Sequence, residues 1–144
     1  MTKFFGDKLR VAVDTSGDGS AFTKLEGEQS CDFQRASNEV DTTDKSTGAY
    51  GTREHRRKTV TITGNGQVEL PSPALAALND AGKADDPNIK LRLIDVVGAD
   101  QTRFEGQMSI GDVRITYPDA GVASYSFTAV SSAVPVTDDM IDAA

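Results

Sequence analysis

Apolar and polar residues alternate almost without interruption from Arg103 to Val130, through Phe104, Met108, Ile110, Val113, Ile115, Tyr117, Tyr125, Phe127 and Val130. A period of two gives each strand one dry face and one wet face, as in an antiparallel sheet with one side on a core. Phe104, Met108 and Ile110 are even-numbered, whereas Val113, Ile115 and Tyr117 are odd. The switch at Gly111-Asp112 predicts a β-bulge or sharp bend. Pro118-Asp119-Ala120-Gly121 reads as a turn, and an odd-length loop there sets Ile115 opposite Tyr125 and Val113 opposite Phe127.

The same reading extends upstream. Leu9, Val11 and Val13 make a first strand, residues 14–20 a turn-rich connection, Phe22 and Leu25 a short return, and residues 29–37 a strand with Cys31 and Phe33 inward. Val60, Ile62, Val68 and Leu70 share parity across Gly64-Asn65-Gly66. A three-residue hairpin loop and one continuous strand bent at the glycines fit that parity equally. Ser72-Pro73 offers an N-cap followed by proline at the first helical position, so a helix is predicted over 72–82, with Leu75 and Leu78 on one face and Gly82 as its stop. Strands are expected at 59–69, 89–97, 103–117 and 123–131.

The alternation fails in three places within what reads as a single domain, 1–144. Residues 1–7 read as an N-terminal arm and residues 133–144 as a tail carrying Asp138, Asp139 and Asp142 with no base. Residues 38–58 read as a long loop, and a loop of that length in a compact domain is usually functional or ordered by a partner. It carries the residues best suited to contacts between copies: Asp41, Asp44, Lys45, Tyr50, Arg53, Arg56, Arg57 and Lys58. The basic run fits an acidic neighbour such as Asp41, Asp44 or the tail; a solvated strand start is the plainer alternative.

Composition narrows the function. At 144 residues the chain suffices for one hydrophobic core. A net charge of −7 argues against ordinary affinity for nucleic acid, which needs local positive charge. Cys31 is the sole cysteine, which excludes an internal disulfide and reads as a small apolar filler in a strand. No apolar run approaches a membrane span, and the start lacks the pattern of a signal peptide, so synthesis and folding are expected in a reducing cytoplasm.

Asp14-x-Ser16-x-Asp18-Gly19 looks like the opening of a calcium loop, but Leu25 stands where the closing glutamate belongs, and a turn between strands is the better reading. His55 sits among cations with no nucleophile or ligand at a telling offset. The glycine pairs at Gly17 and Gly19 and at Gly64 and Gly66 lack the Lys-Ser or Lys-Thr of a phosphate loop. No catalytic, cofactor-binding or metal-binding residue is expected, and the chain does not read as an enzyme.

The order of elements nevertheless resembles a family. Glu39-Val40-Asp41-Thr42-Thr43 leads into the long glycine-bearing segment. A strand with Thr61-Ile62-Thr63-Gly64-Asn65-Gly66 follows, then one helix and Ile89-Lys90-Leu91-Arg92-Leu93. Phe104-Glu105-Gly106-Gln107-Met108-Ser109-Ile110 and Ala123-Ser124-Tyr125-Ser126-Phe127-Thr128 close the series before the tail. Over residues 8–132 this is similar to the major tail tube proteins of long-tailed, non-contractile bacteriophages and gene transfer agents. The resemblance implies a mainly β fold, a β-sandwich or split β-barrel with one flanking helix. It also implies self-assembly into stacked hexameric rings, a virion conduit through which DNA passes without specific binding. Tape-measure, tail terminator and distal tail proteins are the partners it implies, with no membrane anchor and no cofactor. A secretion-system tube protein, a head-to-tail completion protein, and a carbohydrate- or calcium-binding β-sandwich are the alternative readings.

Overall fold

The alternating segments become strands, and the segment begun by Ser72-Pro73 becomes the helix. A computed structural model describes residues 8–16, 19–41, 53–96, 101–138 and 140. In chain order these are β1 (Leu9–Asp14), β2 (Phe22–Lys24), β3 (Glu28–Asp41), β4 (Arg53–Gln67), α1 (Pro73–Lys83), β5 (Asn88–Asp95), β6 (Gln101–Thr116), β7 (Ser124–Ser131) and β8 (Thr137–Asp138). All pairings are antiparallel in a single sheet ordered β2-β1-β5-β6-β7-β4-β3, with β8 also on β6. The sheet is not closed.

β6 is the strand on which the rest is hung. Its first part pairs with β5, Phe104 opposite Leu93, and its last part with β7, Val113 opposite Phe127 and Ile115 opposite Tyr125. Both β7 registers are those the parity predicted. The register shifts between Ile110 and Asp112, the bulge expected at the parity switch. Beyond β7 the chain keeps to the same edge of β6: the Ser132 amide donates to the Gln107 carbonyl (3.0 Å) and the Val136 amide to that of Glu105 (2.8 Å).

The curled sheet brings its two outer edges together at the turn from β2 to β3. The Glu28 carboxylate accepts from the Val11 amide (3.2 and 3.3 Å) and pairs with the Arg10 guanidinium (3.0 Å), which also donates to the Leu25 carbonyl. Gly27 turns this corner at φ 72°, and a Cβ there would lie 2.2 Å from the Gln67 carbonyl oxygen, so glycine is required on both counts.

The core lies between the concave face and α1. Leu25, Ile62, Leu78, Leu91, Leu93, Phe104 and Met108 are fully enclosed, and Phe33 meets Phe104 edge to face at 5.3 Å. The Ser72 hydroxyl caps α1 by accepting from the Leu75 amide, with Pro73 in the first turn; Ala74, Leu75 and Leu78 are buried. Gly82 is not the stop the sequence predicted. The helix runs through it to Lys83, and an added Cβ would meet Val113 at 3.3 Å, so it serves close packing on β6.

One further expectation is corrected, and one open choice is resolved. The segment read as a loop over 38–58 is strand at both ends, since β3 continues to Asp41 and β4 begins at Arg53. Its register sets Glu39 opposite His55 and Asp41 opposite Arg53. Gly64-Asn65-Gly66, open between two readings, lies inside one continuous strand. A Cβ on Gly64 would come 2.7 Å from the Phe127 ring, and one on Gly66 2.3 Å from the Gly27 carbonyl oxygen. The glycines mark close approach, not a turn.

Candidate assembly surfaces

The convex side of the sheet follows from strand parity. Where Ile62, Phe127 and Ile110 point inward, their neighbours point out, and the cross-strand rows are Asp32, Thr63, Thr128 and Asp112, then Ser30, Asn65, Ser126 and Arg114. Gln34 stands opposite Thr61, and Gln67 and Thr116 flank Ser124. Four strands thus present a broad surface of hydroxyls and amides, with Asp32, Asp112 and Arg114 as the charges in these rows. Such a face is hydrated and offers phosphates no basic cluster.

The edges supply a second kind of surface. Among the described residues the outer side of β3 carries no strand partner. Among the described residues β6 beyond Ser109 lacks a strand partner on the side where β5 ends, its Ile110 amide bonding the Pro87 carbonyl (2.9 Å). Unpaired strand edges of this kind are templates for another chain.

At one end of the molecule β3 and β4 run on together past the last β7 rung, Thr61 opposite Val130. Arg53 and Arg56 belong to that extension of β4, and Arg57 and Lys58 at its base are exposed. Asp41 ends β3 opposite Arg53. The other sequence-predicted contact residues, Asp44, Lys45 and Tyr50, lie outside the described residues, as do the arm over 1–7 and residues 141–144 of the tail. Asp138 of the tail pairs with Arg35, whose guanidinium also lies 5.3 Å from the centre of the Phe33 ring. This anchor between β8 and β3 has no periodic signal in the sequence.

The polar side chains of the interior serve structure. Asp14 accepts from the Ser16 amide (3.0 Å), the Ser16 hydroxyl (2.7 Å) and the Gly19 amide (2.8 Å), so its carboxylate closes the turn once compared with a calcium loop. Arg103 meets Asp95 at 3.0 Å, and Arg92 pairs with Glu105 while stacking 3.9 Å from the Phe22 ring centre. Burial, reinforced by Glu28 and Asp32, pushes the Cys31 thiol up to about 11 and keeps it protonated at neutral pH. Among the described residues no three His, Cys, Asp or Glu side chains converge as a metal site, and no helix is long and apolar enough to cross a membrane.

This open antiparallel sheet with one flanking helix has counterparts among solved structures. The chain aligns over 94% of its length, at TM-score 0.75 and 18% identity, with 98% of a subunit in the tail of an empty gene transfer agent particle refined with helical C6 symmetry. It aligns over 92%, at TM-score 0.71 and 17% identity, with 97% of a chain in the virion of a native gene transfer agent. It aligns over 96%, at TM-score 0.73 and 12% identity, with 83% of the SPP1 tail tube protein. The fold is a tail-tube fold. In sequence the chain matches no protein-family model and no curated protein.

Proposed function

We propose that this protein is the structural subunit of a bacteriophage or gene-transfer-agent tail tube, a non-enzymatic virion component that assembles into stacked six-membered rings. The observation that carries the reading is the tail-tube fold over nearly the whole chain, joined to an open sheet whose rims await strands. The convex hydroxyl and amide face of β3, β4, β7 and β6 lines the bore, where a hydrated, weakly charged surface lets a polyanion slide without holding it. Neighbouring sheets complete one another at the bare β3 and β6 edges. The β3–β4 projection, with Asp41, Arg53, Arg56, Arg57 and Lys58, reaches an adjacent ring, and Asp44, Lys45 and Tyr50 lie in the segment that joins its strands. Tape-measure, terminator and distal tail proteins are the partners at the tube's interior and two ends.

Negative-stain electron microscopy of concentrated protein tests this. Rings or tubes of uniform width are expected; a protein that stays monomeric at high concentration refutes the proposal.

A further inference from the structure

The large apolar side chains that reach solvent among the described residues are not scattered. Leu70 (82% exposed), Tyr117 (76%) and Val122 gather where β4, β6 and the β6–β7 turn end. Leu70 and Tyr117 rim a groove of about 440 Å³ between this turn and the first half of α1, floored by Val68, Leu75 and Ile115, and Val122 adjoins Ala123 of its lining. Val134 (88%) and Val136 flank Pro135 at the other end, with Val130 on the strand leading to them. Groups of this kind on a soluble protein mark contact sites.

The second group is a fixed shoulder. It is held on β6 by the Ser132–Gln107 and Val136–Glu105 bonds, and beyond it β8 pairs with β6 and Asp138 with Arg35. Groove and shoulder sit beside Thr116 and Glu105 of the same strand, about 35 Å apart along it at roughly 3.3 Å per residue. One molecule cannot fill its own groove, but a copy can. Charge follows the same axis: exposed Glu26, Glu69 and Asp119 stand at the groove end, whereas exposed Arg57 and Lys58 stand at the shoulder end, Lys58 lining the same recess as Val134 and Pro135. A patch on one end that complements a different patch on the other makes a heterologous contact, which repeats without closing.

We propose that Val134, Pro135 and Val136 of one copy seat in the groove of the next between Leu70 and Tyr117, making the axial joint between successive rings. This rests on the tube reading for the direction of stacking, and it adds a contact independent of the β3–β4 projection. The joint is polar, so every subunit in a tube points the same way.

Two variants in a Cys31→Ala background, Leu70→Cys and Val134→Cys, test it. Mixed under assembly conditions and oxidised, they should give a disulfide-linked dimer that neither gives alone. Tubes without that cross-link overturn the joint and leave the tube reading standing; Leu70→Cys linking to itself overturns it in favour of a face-to-face contact. A wild-type protein that never assembles overturns both. As a second arm, Val134→Asp with Val136→Asp should leave the thermal melt unchanged and ring-sized species present by native mass spectrometry. It should raise the concentration for tube formation by on the order of tenfold or more. Tubes from this double variant at the wild-type concentration also overturn the joint.

Discussion

Between Glu28 and Ser37, β3 lies on β4 with Cys31 and Phe33 packed against the core and with Gly64 and Gly66 admitting close neighbours. From Glu39 to Asp41 the same two strands continue beyond the last rung that β7 gives β4. Backbone pairing is common to both stretches. Among the described side chains the first adds apolar burial, the larger source of stability, which makes it the rigid half of the ladder.

The largest break in that contrast is Phe104→Ala, which removes the ring that backs Phe33 and should cost about 3–5 kcal/mol in urea unfolding. A loss below about 1 kcal/mol would place the anchor of the inner half elsewhere. Gly66→Ala comes next: its Cβ would meet main-chain atoms of Gly27 and Glu28, which have nowhere to go, so a loss of about 1–3 kcal/mol is expected. Tyr125→Phe acts in the opposite direction. The hydroxyl is buried with no hydrogen-bond partner among the described residues, and deleting it should stabilise the fold by about 1 kcal/mol, read from the urea midpoint.

Glu28, at the corner where the inner half begins, sharpens the contrast through pH. Burial outweighs the Val11 amide and the Arg10 guanidinium, so the folded carboxyl keeps its proton to higher pH than the ordinary 4.5. A raised carboxyl pKa favours the protonated fold: the contribution is complete below 4.5 and is lost as pH rises through the folded value. The stability of wild type relative to Glu28→Gln should therefore fall as pH climbs from 4.5, and a rise would reverse the assignment. The smallest effect belongs to the outer half. Replacing residues 42–52 with an Asn-Gly turn should change global stability by less than about 0.5 kcal/mol while abolishing tubes in micrographs. Normal tubes would remove the projection from assembly.

The same contrast explains what the sequence disclosed. Alternation is written only where one face is buried, so the bulge at Gly111, the partners of Val113 and Ile115 and the cap at Ser72 could all be read in advance. The strand ends over 38–41 and 53–58 could not, because pairing there has no apolar pattern behind it. The polar surface was visible as a run of threonines and serines, but joining β3, β4, β7 and β6 into one face required their order. The apolar groove eluded the sequence because Leu70 lies far from Tyr117 in the chain and meets it only beyond the ends of β4 and β6. Gly82 misled for a different reason: a glycine near a helix end serves packing as readily as termination.

β6 reaches from the shoulder to the groove in a single unbroken run. Under the proposed stacking, tension between neighbours would travel lengthwise through one strand, and its cross-chain hydrogen bonds, to β5 over the first part and to β7 over the last, would resist together in shear. Peeling a sheet from its rim breaks such bonds one by one; here a pull along the strand must break many at once.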